Sequence, residues 1–393
     1  MKIALYGIYG TYNFGCEAIV RGATKFVLDS FPDAQIVYYS YSYEYDKNRL
    51  ADLNIEIVPV VLKYSFIKRV CNKLLRLFGS EQRLLYFDID RLLYGVDIVL
   101  SIGGDIYTIP EVIRKKAKYN YYNQLVDFCE KSGKAIVVYG ASVGPWGSYN
   151  KAIDYYVYHM KKYRAILCRE ESSLKYLKQF HFDNVMFFPD PAFQLGSGII
   201  HNAEYLGINL SPLSLNEVFG DYRNEYIEKI ARLVDKIYEK FKYPIMFLPH
   251  VLSPNSDDND KSFMDKIKEK MKHQDMIVFG NYEGGFLEIK ESIKMCRIVV
   301  AARMHCAINA IEENIPTIFL SYSQKSIGMC EYIYGNKEWC VELKNMDAEL
   351  LEKISKLDQI RSETIDILMK RNIEIRNEYI NKINEAKQMI IGK

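Results

Sequence analysis

With 393 residues the chain exceeds what one hydrophobic core ordinarily organises, so two domains are expected, and a 49% hydrophobic content can supply both cores. Its 52 basic residues stand against 50 acidic ones, which argues against a nucleic-acid-binding domain and leaves any anionic ligand to be met by local charge. The eight cysteines are scattered without a C-x-x-C pair and read as reduced, mostly buried thiols of a cytosolic protein.

The chain opens on MKIALYGIYGTYNFGCEAI, where an apolar run is soon broken by Asn13 and Glu17; this fits a first β-strand better than a signal peptide. Next come QIVYYS and then KYSFIKRVCNKLLRLFG, residues 63–79. There Phe66, Val70, Leu74, Leu77 and Phe78 recur at helical spacing among Lys63, Lys68, Arg69, Lys73 and Arg76. Such a basic amphipathic stretch reads first as a core helix with a solvated cationic face, and also suits binding to anionic lipid.

Further short β-branched runs follow, separated by stretches of helical apolar spacing: DIVLSIGG, KAIVVYGAS, AILCRE, NVMFFPD, LGINLS, PIMFLPH, DMIVFG, RIVVAAR and IPTIFLS. Hydrophobicity within these runs is mostly continuous, as in parallel strands covered on both faces, so the fold class is α/β. Glycines interrupt the pattern at FQLGSGIIHNAEY, residues 193–205. Residues 1–195 are expected to form one Rossmann-like domain, 196–205 a linker, 206–346 a second such domain and 347–393 a helical segment. Two doubly wound sheets so joined would leave a cleft at their carboxyl ends. No run approaches the roughly 18 apolar residues of a spanning helix, so a soluble protein, or one bound at a membrane surface, is expected.

Ligands of open parallel sheets sit beyond the carboxyl ends of the strands, and these ends are rich in glycine: Gly7, Gly10 and Gly15, then Gly103 and Gly104 before Asp105, then Gly140 and Gly144 around Ser142, then Gly280. Glycine there lets backbone amides approach an anion, although tight turns need it for structural reasons too. The first loop is neither a strict G-x-G-x-x-G nor a P-loop. Arg169, Asp190 and His250 also follow strands; an ion pair with Glu170 and Glu171 would equally explain Arg169, and a satisfied loop histidine would explain His250. Arg303 and His305 differ, because a helix starting near residue 304 would place a cation where the helix dipole disfavours it. An anion clamp and a proton-transfer group account for that pair. The acidic run SPNSDDND, 253–260, reads as a solvated loop capping the next helix, and no metal-ligand motif is present.

GIYGTYNFGCEAI, DIVLSIGGD, YGASVGP, CREESSLKYL, PDPAF and above all AARMHCAINAIEENIPTIFLSYSQK occur in the order found in the polysaccharide pyruvyl transferase family, which the chain resembles over nearly all of residues 1–335. The resemblance implies two GT-B-like Rossmann-type domains and transfer of pyruvate from phosphoenolpyruvate, as co-substrate, to two hydroxyls of a sugar as a cyclic ketal. The acceptor would be a bacterial surface polysaccharide (capsule or exopolysaccharide) or its lipid-linked precursor. The family's R-x-H pair falls on Arg303 and His305, expected to bind the donor and take part in catalysis; the R-E/D-x-x-S arginine falls on Arg169 and the lysine after the proline strand on Lys325, both expected at the donor. Gly280 is placed with the donor, and Gly10, Asn13, Glu17, Asp105, Ser142 and His250 with the acceptor. The acceptor is thus expected on the N-terminal domain and phosphoenolpyruvate on the C-terminal one. Where many members have Gly-Asp-Glu this chain has Gly15, Cys16 and Glu17, so residue 16 is assigned no catalysis. No metal, other cofactor or nucleic acid is called for. A cytoplasmic location, at the inner membrane face through 63–79, fits a lipid-linked acceptor. The alternatives are a GT-B glycosyltransferase using a nucleotide sugar and a catalytically silent glycan-binding protein of the same fold.

Overall fold

A computed structural model describes residues 1–63, 65–78, 80, 83–109, 121–199, 203–220, 223–322 and 324–392. The chain divides into two compact units, one made of Met1–Gly10, Ile19–Pro191 and the chain from Glu378 on, the other of Thr11–Ala18 and Ala192–Asn377.

The first unit carries strands β1 (Lys2–Tyr6), β2 (Gln35–Ser40), β3 (Glu56–Pro59), β4 (Ile98–Ser101), β5 (Ala135–Ala141), β6 (Ala165–Cys168) and β7 (Val185–Phe187). All pair in parallel, in the order β3-β2-β1-β4-β5-β6-β7. Helices α1 (Phe14–Ser30), α2 (Tyr43–Arg49), α3 (Phe66–Leu77), α4 (Ile89–Leu93), α5 (Leu125–Lys131), α6 (Asn150–Met160) and α7 (Glu171–Lys178) connect them. Every residue of β4 is buried, which is why IVLS shows no polar alternation.

The second unit carries β8 (Tyr205–Asn209), β9 (Ile245–Phe247), β10 (Ile277–Phe279), β11 (Cys296–Ala301), β12 (Thr317–Ser321) and β13 (Cys340–Glu342), parallel in the order β10-β9-β8-β11-β12-β13. Its helices are α8 (Pro212–Phe219), α9 (Arg223–Phe241), α10 (Asp260–Lys268), α11 (Phe286–Lys294), α12 (Met304–Glu312), α13 (Gln324–Tyr334) and α14 (Met346–Gln359). The last helix among the described residues, α15 (Arg361–Ile391), follows α14. Strand order reverses between β1 and β4 in one sheet and between β8 and β11 in the other, and the carboxyl ends at such reversals are where open sheets bind ligands.

The seam after Pro191 falls near the expected break, but the division differs from the sequence reading at two places. Thr11–Ala18 belongs to the second unit because Phe14 and Ala18 pack in that unit's core. The Phe14 amide also donates to the His250 carbonyl at 2.9 Å, and the Leu252 amide to that of Tyr12 at 2.9 Å. From Glu378 on the chain belongs to the first unit, where the Tyr379 hydroxyl meets Asp29 at 2.8 Å and its ring packs on Phe188.

Candidate active site

In the second unit, β11 ends at Ala301, Arg303 occupies the N-cap of α12, and His305 lies in its first turn. The Arg303 amide donates to Asn209 Oδ1 at 2.8 Å, tying the start of α12 to the end of β8 across the sheet's switch point. Its guanidinium is held by two carboxylates: Nη2 reaches Asp258 at 2.6 Å and Asp260 at 2.7 Å, and Nε reaches Asp260 at 3.2 Å. Asp260 is fully buried, and its other oxygen accepts the amides of His250 and Val251 at 3.0 and 3.1 Å. Burial alone would pull Arg303 down, but Asp260 and Asp258 outweigh it and hold the guanidinium above its ordinary value. Burial likewise pushes the Asp260 carboxyl up, with Arg303 opposing.

The acidic run is therefore more than a solvated loop. Asn259 does cap α10, its side chain accepting from Ser262 N at 2.9 Å, but Asp258 and Asp260 turn onto Arg303. They resolve the conflict between a cation and a helix N-terminus within the protein itself. Among the described residues Nη1 of Arg303 makes no hydrogen bond, so one edge of an otherwise fixed guanidinium remains available.

His305 owes its place to Gly15. A β-carbon at residue 15 would lie 2.6 Å from His305 Nδ1 and 2.9 Å from its Cβ, so only glycine lets the start of α1 pass the imidazole so closely. Asn13 shapes the same turn, its Oδ1 accepting the amides of Gly15 at 3.0 Å and Cys16 at 3.4 Å. Gly15→Ala is expected to displace the imidazole and to lower turnover by on the order of 10²-fold while the protein stays folded; steady-state rates beside a melting curve check this.

His250, buried against the Phe14 ring, makes no regular hydrogen bond through either ring nitrogen among the described residues. Burial pulls its pKa down to about 3; the Leu248 carbonyl opposes this in part, and His305 and Arg303 add to it. The ring is therefore neutral at ordinary pH. Two other expected contacts have structural employment. Glu17 is buried and its carboxylate accepts the Phe286 amide at 2.9 Å, capping α11 from a distant part of the chain. At Gly280 a β-carbon would come within 2.9 Å of Ile289 Cδ1 and 3.0 Å of Ser292 Cβ, so close helix packing accounts for this glycine. Lys325 is half-buried in the first turn of α13.

In the first unit, Arg169 is buried and its guanidinium is used up by the protein. Nη1 meets Asp190 at 3.1 Å; Nη2 meets Asp105 at 3.2 Å, Ser142 at 3.1 Å and the Gly104 carbonyl at 3.4 Å; Nε meets Ser142 at 3.2 Å. Burial would pull this group down, and Asp190, Asp105 and Glu170 hold it up. The expected pairing with Glu170 is present at 3.8 Å, and Arg169 is in addition the hub that ties the ends of β4, β5, β6 and β7 together. Ser142 donates to Glu170 at 2.6 Å, and Asp105 remains largely exposed. Gly10 is buried and belongs to this unit. Among the described residues no group of three or more His, Cys, Asp or Glu side chains is arranged to hold a metal ion.

Two parallel-sheet α/β domains define a GT-B-like architecture, and solved structures share it. A glycosyltransferase from Rickettsia africae is 14% identical, with a TM-score of 0.58 over 100% of this chain and 98% of that one. HepE from Anabaena, solved with UDP and glucose, is 10% identical, with a TM-score of 0.58 over 98% of each. A putative UDP-N-acetylglucosamine 2-epimerase from Listeria monocytogenes is 10% identical, with a TM-score of 0.55 over 94% of this chain and 90% of that one. At these identities the likeness is one of fold alone. The sequence decides the family: residues 13–324 match polysaccharide pyruvyl transferase, and the chain belongs to that family.

Proposed function

We propose that the protein transfers pyruvate from phosphoenolpyruvate to two hydroxyls of a sugar in a surface polysaccharide or its lipid-linked precursor, forming a cyclic ketal. The observation that carries this reading is the first turn of α12, where a histidine seated on Gly15 adjoins an arginine fixed by two aspartates with one edge unused. Phosphoenolpyruvate carries a carboxylate and a phosphate, and Nη1 of Arg303, the α12 N-terminus and Lys325 are assigned to them. Since Asp258 and Asp260 offset the Arg303 charge, the helix end and Lys325 carry more of the anion binding than the arginine does.

The reaction adds a proton to the methylene carbon of the donor and the oxygen of a first hydroxyl to its central carbon. The bond from that carbon to the phosphate oxygen breaks, and the second hydroxyl closes the ring. Of the two hydroxyl protons, one is balanced by that gained at the methyl group and the other leaves with phosphate. His305 serves as the proton-transfer group, and neutral His250, whose protonation His305 and Arg303 further disfavour, adds no second charge. Asp105 and Ser142 are assigned to the acceptor, with Arg169 as the positioning residue that holds them. The lipid-linked form of the acceptor and a place at the inner face of the cytoplasmic membrane belong to the same proposal.

Ligand-dependent melting tests it against nucleotide-sugar transfer. Phosphoenolpyruvate at 100 times its dissociation constant should stabilise the native protein by about 2.7 kcal/mol. A rise in Tm with a UDP- or GDP-sugar, and none with phosphoenolpyruvate, would favour glycosyl transfer instead.

A further inference from the structure

In the first unit α3 turns most of its large apolar side chains outward. Asn72, a polar residue near its middle, is its one buried residue, with Lys68, Cys71 and Leu75 half-buried beside it: 5% exposed, it donates to the Leu84 carbonyl at 3.0 Å and the Tyr86 hydroxyl at 3.2 Å and accepts the Leu84 amide at 2.7 Å. Lys68 on the same side donates to the Leu85 carbonyl at 2.7 Å. The apolar side faces outward instead, with Phe66 80%, Ile67 72%, Leu77 71% and Phe78 84% exposed, and Val70 and Leu74 between them. At about 100° per residue these six side chains fall within an arc of roughly 120°. An ordinary surface helix would bury that arc and leave Asn72 in water.

One flank of the arc is cationic. Arg69, Lys73 and Arg76 follow one another along it, and none has a carboxylate partner among the described residues, whereas Lys63 is paired with Asp88. No acidic residue occurs between Lys63 and Ser80. From this combination of an outward apolar arc, a polar inner anchor and an unneutralised basic flank, we infer that α3 lies in the surface of a membrane containing anionic lipid. The six apolar side chains enter the acyl boundary, and Arg69, Lys73 and Arg76 reach the headgroups. A second copy of the chain fits less well, because apposing two such helices would bring like charges together around the apolar contact. Among the described residues no helix is long and apolar enough to cross a membrane, so this contact is peripheral. The inference goes beyond the proposed reaction in assigning a surface and its partner.

Co-flotation of the full chain with vesicles tests it, using phosphatidylcholine alone or in equal mixture with phosphatidylglycerol. The native protein is expected to float with the mixed vesicles and to be released by raised salt, and to bind phosphatidylcholine alone on the order of tenfold less. The double variant Phe66→Ser, Leu77→Ser should lose binding to the mixed vesicles by on the order of tenfold or more, and Lys73→Glu, Arg76→Glu should lose it comparably. All four side chains lie outside the core, so melting should stay near native. Native protein that remains unbound to mixed vesicles, or an apolar variant that floats as fully as native, overturns the inference. So does a dimer in sedimentation velocity that the apolar variant dissociates while vesicles bind neither form. Pyruvyl transfer to a soluble saccharide should be unchanged in these variants, so failure of docking and failure of the proposed reaction are read separately.

Discussion

His305→Ala is expected to lose pyruvyl transfer by about 10²–10⁴-fold, the range a positioned proton-transfer group contributes, with melting close to native. The half-buried imidazole sits in the first turn of α12 against Gly15, so its removal opens a small space there. A loss confined to the transfer rate, with phosphoenolpyruvate still raising Tm, would locate the defect in the chemical step rather than in donor binding. Turnover at the native rate in this variant would remove His305 from the mechanism.

The largest effect on stability is expected at Asp260. Asp260→Asn removes the fully buried one of the two carboxylates that face Arg303; breaking a buried pair costs about 3–5 kcal/mol, and the Asp258 contact that remains keeps the loss near the lower end. In melting of the second unit this corresponds to a fall on the order of 10 °C. Asp258→Asn, at a partly exposed carboxylate, should cost no more than about 1 kcal/mol. Replacing both members of the buried pair, as in Asp260→Leu with Arg303→Met, should recover part of the stability, since the stranded charge is gone while the His250 and Val251 amides lose their acceptor, and should weaken donor binding. A single Asp260→Asn variant melting with the native protein would show that the aspartate does not carry the Arg303 charge.

Every strand named from the sequence is present, because both sheets are parallel and most of their strands are buried on both faces, leaving continuous apolar runs easy to read. The two strands that went unnamed, β3 and β13, are short and lie at sheet edges, where EIVP and CVE carry only part of that signal. Arg303 and His305 were legible as an oddity, a cation and an imidazole at a strand end. What made them odd was answered elsewhere in the chain, by Asp258 and Asp260, whose run looks like a solvated cap unless one knows which side faces the arginine. Contacts distant in sequence also decided Arg169 and Glu17: the first ties strand ends together and the second caps α11. For α3 the spacing revealed two faces but not which one turns inward, and the tertiary bonds of Asn72 reversed the usual choice.

The proposed transfer of pyruvate from phosphoenolpyruvate onto a saccharide is tested by the mass of products formed by the native protein from isotope-labelled phosphoenolpyruvate and a panel of free and lipid-linked sugars. One acceptor should gain a single labelled pyruvyl ketal, with an equal amount of phosphate released and both absent in His305→Ala. Label that never reaches any acceptor, while a nucleotide sugar in the same panel is consumed, would contradict it.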